Sequence, residues 1–486
     1  MGFLKHKNSF KISEISKKEF CRDSLCPQDY KELILNNSNT IKLSDIIEDW
    51  YKGEEIGSDN YMKNSNFRFL KTVNVTKSFL YNQTSIEYCK PNFGKEPQKN
   101  DIFIVKDGAG IGLGEVALYL NKSEFSDYIS AGLIGIRINK DKRYYTLSFL
   151  KSQHFKDYVN VNTAQGSTIR HSKLIALNYP VAFPTTKNHQ ETKLIEDFLS
   201  VLTKNLIDKE KQIEIKNNRI DELFSVELNS KLTSKINYEL PTISKLKFGN
   251  RLDTIIYSKR YFEYDILIKS YKNGCYFLSE KDIAPGRTPK DYYYSSEKKS
   301  NKFFQWITPK NVNGRSLDYK TYIHTKSATK ITKNTIVLNG IRYVGNGVFI
   351  DDDEKIFSNQ NTLIIKKFKD TDEQIFLYTF LTSKIGKYMQ MAQRNFGIVP
   401  ILYTENLCKI PIPKFDESQK RKITKLYYNK VNSRDNYTID NYLELELKRN
   451  KSLGIHQLNT EIFLIKEKIE SIINKIINED PIEIEF

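Results

Sequence analysis

The residues that could do chemistry in this chain fall into one glycine-rich loop and several loops where basic and amide side chains alternate with aromatic rings. The loop Asp107-Gly108-Ala109-Gly110-Ile111-Gly112-Leu113-Gly114 follows a strand-like run and invites comparison with a dinucleotide fingerprint. Its spacing is Gly-x-Gly-x-Gly-x-Gly, not Gly-x-Gly-x-x-Gly, and Glu115 to Leu120 reads as a short strand rather than a helix start. A tight hairpin, with glycine supplying positive φ, is the expected structure. Gly94-Lys95 is followed by Glu96, so there is no phosphate loop of the Walker type. No Pro-Pro dipeptide occurs, which removes the loop with which amino methyltransferases grip a flipped adenine. Asp353-Glu354-Lys355 has the acidic-x-Lys form that nucleases use, but in a chain with 28% charged residues it reads as a solvated loop. The six histidines are isolated from one another, and His171 and His189 read as loop or helix-cap residues. No catalytic constellation emerges. The expectation is a protein that is not an enzyme and binds no metal or cofactor of its own.

A binding reading is better supplied. Between Lys281 and Arg342 there are 13 Lys/Arg against 4 Asp/Glu, about half of the chain's basic excess, interleaved with Tyr292, Tyr293, Tyr294, Phe303, Phe304, Trp306, Tyr319, Tyr322 and Tyr343. Cations neutralise phosphates and release counterions, while amides and rings sort bases. Two further loops, Gln165-Gly166-Ser167-Thr168-Ile169-Arg170-His171 and Gln393-Arg394-Asn395-Phe396-Gly397, carry side chains able to read base edges bidentately. The candidate DNA contacts are Lys71, Asn74, Lys106, Gln165, Ser167, Thr168, Arg170, His171, Arg287, Lys310, Asn311, Asn313, Arg342, Arg394 and Asn395.

The elements that position these groups must come from 486 residues, enough for two large domains or about three ordinary ones. Hydrophobic residues make up 39%, so a real core can be buried. The net charge of +17 and pI near 9.2 point to a polyanionic partner, nucleic acid before an acidic membrane. No run approaches the ~18 apolar residues of a membrane span, and mean hydropathy is −0.54. MGFLKHKNSF has no apolar signal core, and His6 stands where myristoylation of Gly2 would want Ser or Thr. Cys21, Cys26, Cys89, Cys275 and Cys408 are odd in number and scattered, which fits reduced thiols in a cytoplasmic protein rather than disulfides or zinc.

The chain also repeats itself. IKLSDIIEDWYKGEEIGSDNYM (Ile41 to Met62) is answered by YFLSEKDIAPGRTPKDYYY (Tyr276 to Tyr294), and Phe67 to Leu80 by Phe303 to Leu317. Asp101 answers Asn334, Phe149 answers Phe380 and Gln190 answers Gln419, so the offset drifts only from 233 through 231 to 229 residues. Five blocks in one order at a nearly constant offset mark a tandem duplication. Strands are expected at Phe69 to Val75, Asp101 to Lys106, Ile134 to Ile138, Thr335 to Asn339 and Thr362 to Lys366. Helices are expected at Thr146 to Tyr158 and Gln374 to Gln390.

Each repeat runs into a long helix. Leu199, Leu206, Ile213 and Ile220 recur at a seven-residue step, with Leu202 and Leu223 on the alternate seam and Lys209 and Lys216 interrupting it. Near the C-terminus Ile455, Ile462, Ile469 and Ile476 hold one position, and Leu458, Ile465 and Ile472 the other. That pattern is a coiled-coil seam. The expected fold class is mixed α/β (α+β): two tandem globular domains, separated and followed by long helices that pair as an antiparallel coiled coil.

These features resemble the specificity subunits of type I restriction-modification systems. The matching residues are the Leu-Ser-Asp-Ile-Ile opening, the strand–Gly–Gly segment at Asp101 to Gly112, and the Gly-Ser-Thr-Ile-Arg loop before Leu174. Pro180 to Pro184 with Gln190, and Pro411 and Pro413 with Gln419, close the two repeats. The Arg251-Leu252-Asp253 preamble is similar to recognition tails of related methyltransferases, including type IIB specificity chains. The resemblance implies two target recognition domains, 1–187 with an N-terminal extension and 231–420, joined by a central helix over 188–230. A C-terminal region over 421–486 would carry a distal helix over 453–478. It further implies double-stranded DNA as ligand, each domain reading half of a bipartite site, and helices that set the spacer. Leu199, Leu206, Ile213, Ile220, Ile455, Ile462, Ile469 and Ile476 would serve the docking of two adenine methyltransferase subunits, in a defence against foreign DNA. S-adenosylmethionine, ATP and Mg would belong to those subunits and to a motor–nuclease subunit. The alternatives are a stand-alone sequence-specific repressor and an unrecognised nuclease.

Overall fold

In a computed structural model of the chain, the described residues are 10–12, 31–33 and 35–485, apart from 84–85, 92, 109–111, 121–123, 165–166, 187, 230–241, 245–254, 291, 296–297, 319, 326–330, 352–355, 367–369, 396–398 and 433–435. The chain divides into two compact units. The first comprises 1–211, 432–451 and 460–486, and the second 212–431 and 452–459. The segment expected as one C-terminal region, 421–486, is thus shared between the units, because its apolar side chains are spent on two separate cores.

In the first unit Phe10–Ile12 pairs antiparallel with Lys31–Leu33, and the strands that follow are β1 Thr40–Lys42, β2 Ile47–Lys52, β3 Tyr61–Met62, β4 Phe67–Leu70, β5 Glu87–Cys89, β6 Ile102–Val105, β7 Asp107–Gly108, β8 Val116–Leu118, β9 Ser126–Ile129, β10 Leu133–Ile138, β11 Arg170–His171 and β12 Pro180–Ala182. In the second unit they are β13 Cys275–Tyr276, β14 Ile283–Pro285, β15 Tyr293–Ser295, β16 Phe303–Ile307, β17 Tyr322–His324, β18 Thr335–Asn339, β19 Gly347–Ile350, β20 Ile356–Ser358, β21 Thr362–Ile365 and β22 Ile412–Pro413, with a separate short hairpin of Val312–Asn313 and Ser316–Leu317. One antiparallel sheet has the order β8-β6-β10-β2, and its counterpart the order β19-β18-β21-β14. The other sheet runs β9-β4-β5-β3 and its counterpart β20-β16-β17-β15, each with a single parallel pair at the same place. β1 pairs with β12 just as β13 pairs with β22. Two sheets in the same order, with the same exceptional parallel pair, establish the duplication at the level of topology.

The helices repeat too, with one correction. Helix α1 spans Arg143–Lys151 and α2 spans Gln153–Val161, where one continuous helix is expected. Ser152 ends the first and caps the second, its side chain accepting from the Phe155 amide. After the long helix α3, His189–Glu227, the second repeat does the same: α4 Thr371–Leu381 and α5 Lys384–Gln393 are separated by Ser383, which caps through the Gly386 amide. A serine accepts from a free first-turn amide and so favours a new N-terminus over continuation. The expected strand from Phe69 to Val75 stops at Leu70, and a short 3-10 turn, Thr72–Asn74, replaces its second half. The glycine-rich loop makes the expected hairpin: β8 pairs antiparallel with β6, and Gly114 sits at φ 76°. Residues 109–111 of that loop, and Cys21, Cys26 and Arg251-Leu252-Asp253, lie outside the described residues.

The second repeat's closing helix is interrupted. Helices α6 Glu417–Tyr427, α7 Tyr442–Asn450 and α8 Ile455–Asn478 stand where the first repeat has α3 alone. Within the first unit α3 and α8 run antiparallel: Phe198 faces Lys468, Glu210 faces Lys466 and Lys209 faces Glu461. Leu199, Leu206, Ile469 and Ile476 belong to that unit's core, and Ile220 and Ile455 to the other unit's. Ile462 is buried and Ile213 half-buried against its own unit's core. The seam named from the sequence as a docking face for partner subunits is therefore filled by the chain itself. Next to the C-terminal end of α8, the Ile477 carbonyl accepts from the Asn36 and Asn37 amides, closing the first unit on itself.

Lys209, an apparent flaw in the seam, is wholly buried and central. Its ammonium donates to Glu446 at 2.9 Å, Glu461 at 2.6 Å and Asn450 at 2.6 Å. Asn205 donates to Tyr442 and Glu446, Asn450 donates back to Asn205 and Asp208, and Arg449 pairs with both carboxylates. Burial alone would raise the Glu446 carboxyl, but Lys209, the Tyr437 hydroxyl and Arg449 override it and bring it down to about 2. Because that value lies below the ~4.3 of an unfolded glutamate, the pair's stabilisation is complete above ~4.3 and lost as pH falls toward 2. Lys209→Met leaves buried carboxylates undercompensated and is expected to destabilise the first unit by about 3–5 kcal/mol in urea titrations. Glu446→Gln should flatten the decline of the urea midpoint between about pH 5 and 2.5. Equal slopes in wild type and variant would refute the assignment.

Candidate nucleic-acid interface

In the first unit β6 delivers Lys106 and Asp107 to one edge, and β11 pairs with β7 so that His171 lies opposite Asp107. The His171 Nδ1 is 3.0 Å from the Asp107 carboxylate, whose other oxygen accepts from Lys106 at 2.5 Å. Beside them Lys71 leaves the end of β4, donates to Glu87 at 2.6 Å and stands 4.6 Å from the centre of the Tyr61 ring. Burial opposes the Lys71 ammonium, but Glu87 and Tyr61 outweigh it and raise it above the usual lysine range. Of these groups Tyr61, Lys71, Asp107 and His171 line a cleft of about 330 Å³, together with Glu54, Glu55, Thr72 and Gly132. Ser167 and Thr168 are exposed on the loop that leads into β11. The sequence reading thus named Lys71, Lys106, His171, Ser167 and Thr168 separately, and the fold places them on neighbouring segments. His171, expected in a loop or at a helix cap, is on a strand, whereas His189 opens α3.

The cleft's acidic members were not anticipated. Glu54 and Glu55 follow β2, and no spacing rule connects them with Asp107 half a domain away. Carboxylates accept from exocyclic amino groups and lysines donate to guanine O6 and N7, so a surface that mixes them can tell cytosine edges from guanine edges.

In the second unit the exposed candidates are Arg287, Lys310, Asn313, Arg342 and Asn395. Arg287 is held by its own amide, which donates to the Ser358 carbonyl at 3.0 Å. The preceding Gly286 packs so closely that a Cβ would lie 1.9 Å from the Asn359 carbonyl oxygen. Arg342 has φ 61°, a left-handed conformation that is costly for any residue with a Cβ, and it presents beside exposed Tyr343. Asn395 accepts from Asn406 at 3.1 Å, and Arg394 is half-buried.

Three of the named residues are occupied inside the fold, a correction to their expected role. Arg170 is buried and donates to the Asn160 side chain and carbonyl and to the Thr163 and Ala164 carbonyls, so it braces the loop. Asn311 is wholly buried, accepting from the Thr308 amide and donating to the Trp306 carbonyl. Asn74 is also buried. Gln165, Gly166, Phe396, Gly397, Tyr319 and Asp353-Glu354-Lys355 lie outside the described residues. Among the described residues no group of three or more His, Cys, Asp or Glu is arranged to hold a metal ion, and no helix is long and apolar enough to cross a membrane. Cys89, Cys275 and Cys408 are free thiols.

No family model and no curated protein matches the chain. Among solved structures it is similar to the S subunit of a type I restriction-modification system from M. genitalium, at 16% identity over 90% of this chain and 96% of that one, with a TM-score of 0.36. The HsdS subunit from Thermoanaerobacter tengcongensis matches at 9% identity over 91% and 97%, TM-score 0.27. A chain of a type I restriction-modification assembly matches at 10% over 93% and 100%, TM-score 0.29. Superpositions this loose leave the functional reading to the chain's own residues.

If Arg287, Lys310 and Arg342 meet phosphates, replacing each by Ala should lower the slope of log K against log salt by about 0.9 in duplex-binding titrations. Arg170→Ala should leave that slope unchanged and instead speed amide hydrogen exchange across residues 160–171. A fall in slope for Arg170→Ala would reverse the assignment.

Proposed function

We propose that the chain is the DNA-specificity subunit of a type I restriction-modification complex. The observation that carries this reading is the two-sheet topology built twice, each copy followed by helix. Two related but differently surfaced units suit a bipartite DNA site, one unit to each half. A chain of net charge +17 suits the phosphates of both halves. The paired helices α3 and α8 act as the ruler between half-sites.

Two adenine methyltransferase subunits supply the S-adenosylmethionine chemistry, and a motor–nuclease subunit that uses ATP and Mg completes the assembly. Docking falls to the outward faces of the long helices, where Ile215, Val226 and Leu464 are exposed, since the inner seam is occupied. The complex works in the cytoplasm, where its DNA is.

Exchanging residues of the second unit for those of a relative should change one half of the methylated sequence, read by methylome sequencing, and leave the other half intact. A change in both halves, or in neither, sinks the proposal. Inserting seven residues after Lys211 in α3 and seven after Asn459 in α8 keeps the heptad phase and adds about 10 Å of helix. The spacer should then grow by about three base pairs at ~3.4 Å each. An unchanged spacer would refute the ruler. Recovery of the chain alone, tightly bound to one sequence, would favour a stand-alone repressor.

A further inference from the structure

The smaller sheet of the second unit carries a row of rings that neither its core nor edge-on reading of a duplex uses. Its central strand β17 pairs antiparallel with β15 on one side and β16 on the other, and the register sets both Tyr293 and Phe303 opposite His324. Residues directly opposite across antiparallel strands project from the same face. The Tyr293 and His324 rings lie 6.3 Å apart and the Phe303 and His324 rings 5.4 Å apart, giving three aromatic groups in a line. Tyr293 is 73% exposed. Behind this face Trp306, Ile323 and Phe357 form a buried cluster. Farther along the face itself Ile307 and Ile356 enter a separate core, so the open part is the end formed by Tyr293, His324 and Phe303.

The next row adds half-buried Tyr322 and the Gln305 amide and ends at buried Ile356, where the open face stops. Exposed Lys290, Lys299 and Lys302 lie on the segments leading into β15 and β16. In the first unit the row that spans the corresponding strands is Met62, Tyr88 and Arg68, with Arg68 tied to Asp127 at 2.5 Å. The duplication therefore does not require the ring row.

We propose that this face is a stacking platform for unpaired nucleobases, and that the chain binds single-stranded DNA through its second unit. Inside a duplex the faces of bases cover one another and only edges are on offer, whereas rings on an open sheet face take base faces directly. Lysines on the flanking segments meet the backbone phosphates of the same strand. The proposal does not rest on the specificity-subunit reading, because it names a surface separate from the edge-reading loops and a different form of DNA.

The test is fluorescence anisotropy of the full chain with labelled dT15 and with a labelled duplex of equal length. Tyr293→Ala, at an exposed position, should weaken dT15 binding about tenfold or more and change duplex binding by less than about twofold. Tyr293→Phe, which keeps the ring, should restore dT15 binding to near wild type. The proposal is overturned if the wild-type chain fails to bind dT15, if Tyr293→Ala weakens both ligands equally, or if Tyr293→Phe loses as much as Tyr293→Ala. Loss of half-site specificity in the unit exchange described above would leave all of these outcomes unaffected, so the two readings fail separately.

Discussion

A cation with no access to water holds the first unit together. Lys209 is presented by α3, but the carboxylates that neutralise it come from α7 and α8, more than two hundred residues later. A purely apolar seam of isoleucine and leucine tolerates slippage by a heptad, because each step meets a chemically similar neighbour. A buried ammonium with two carboxylates and an amide around it does not. Any shift of α8 along α3 would strand charge in a dry interior, at a cost that no gain in apolar contact repays. Asn205 and Asn450, bonded to one another beside it, add a second polar pair that only this register satisfies. If the helices measure distance along DNA, this cluster makes the measurement reproducible.

Around that fixed element the duplicated units share a scaffold and differ in surface. Their sheets match in order, direction and the position of one parallel pair, so the core residues need only preserve alternation and bulk. The loops and edge strands have diverged freely. One copy gathers Glu54, Glu55, Asp107, Lys71 and His171 around a cleft, and the other displays Tyr293, His324, Phe303 and a basic fringe. Divergence confined to surfaces over a conserved topology suits two modules with one kind of task and different targets.

Much of this was legible from residue order. The repeat offsets, the strands around Ile102–Val105 and Thr335–Asn339, the glycine hairpin and the long helices all follow from local pattern. What stayed hidden depends on contacts across the chain. Ser152 and Ser383 break helices whose apolar spacing runs on through them, since a cap and a continued turn compete at equal local preference. Lys209 read as a defect because its partners sit in a segment with no visible relation to it. Arg170 and Asn311 looked like base readers because their chemistry is right, and only the folded surface shows that their donors are already engaged. Side-chain type announces what a group can do, and burial decides whether it is available.

The division of the chain between its units also bears on how it is made. Everything the second unit contains has been synthesised once residue 459 is added, whereas the first unit takes in residues 460–486. The half encoded first is therefore completed last. Until Ile465, Ile469, Ile472 and Ile476 emerge, Leu199, Leu202 and Leu206 of the nascent α3 lack the apolar cover that they have in the finished fold. Synthesis thus exposes an apolar stripe for the time taken to translate some two hundred and fifty residues, tens of seconds at ~5–20 residues per second. The last helix is therefore the step that completes the first unit's core, after every residue of the second unit has been made.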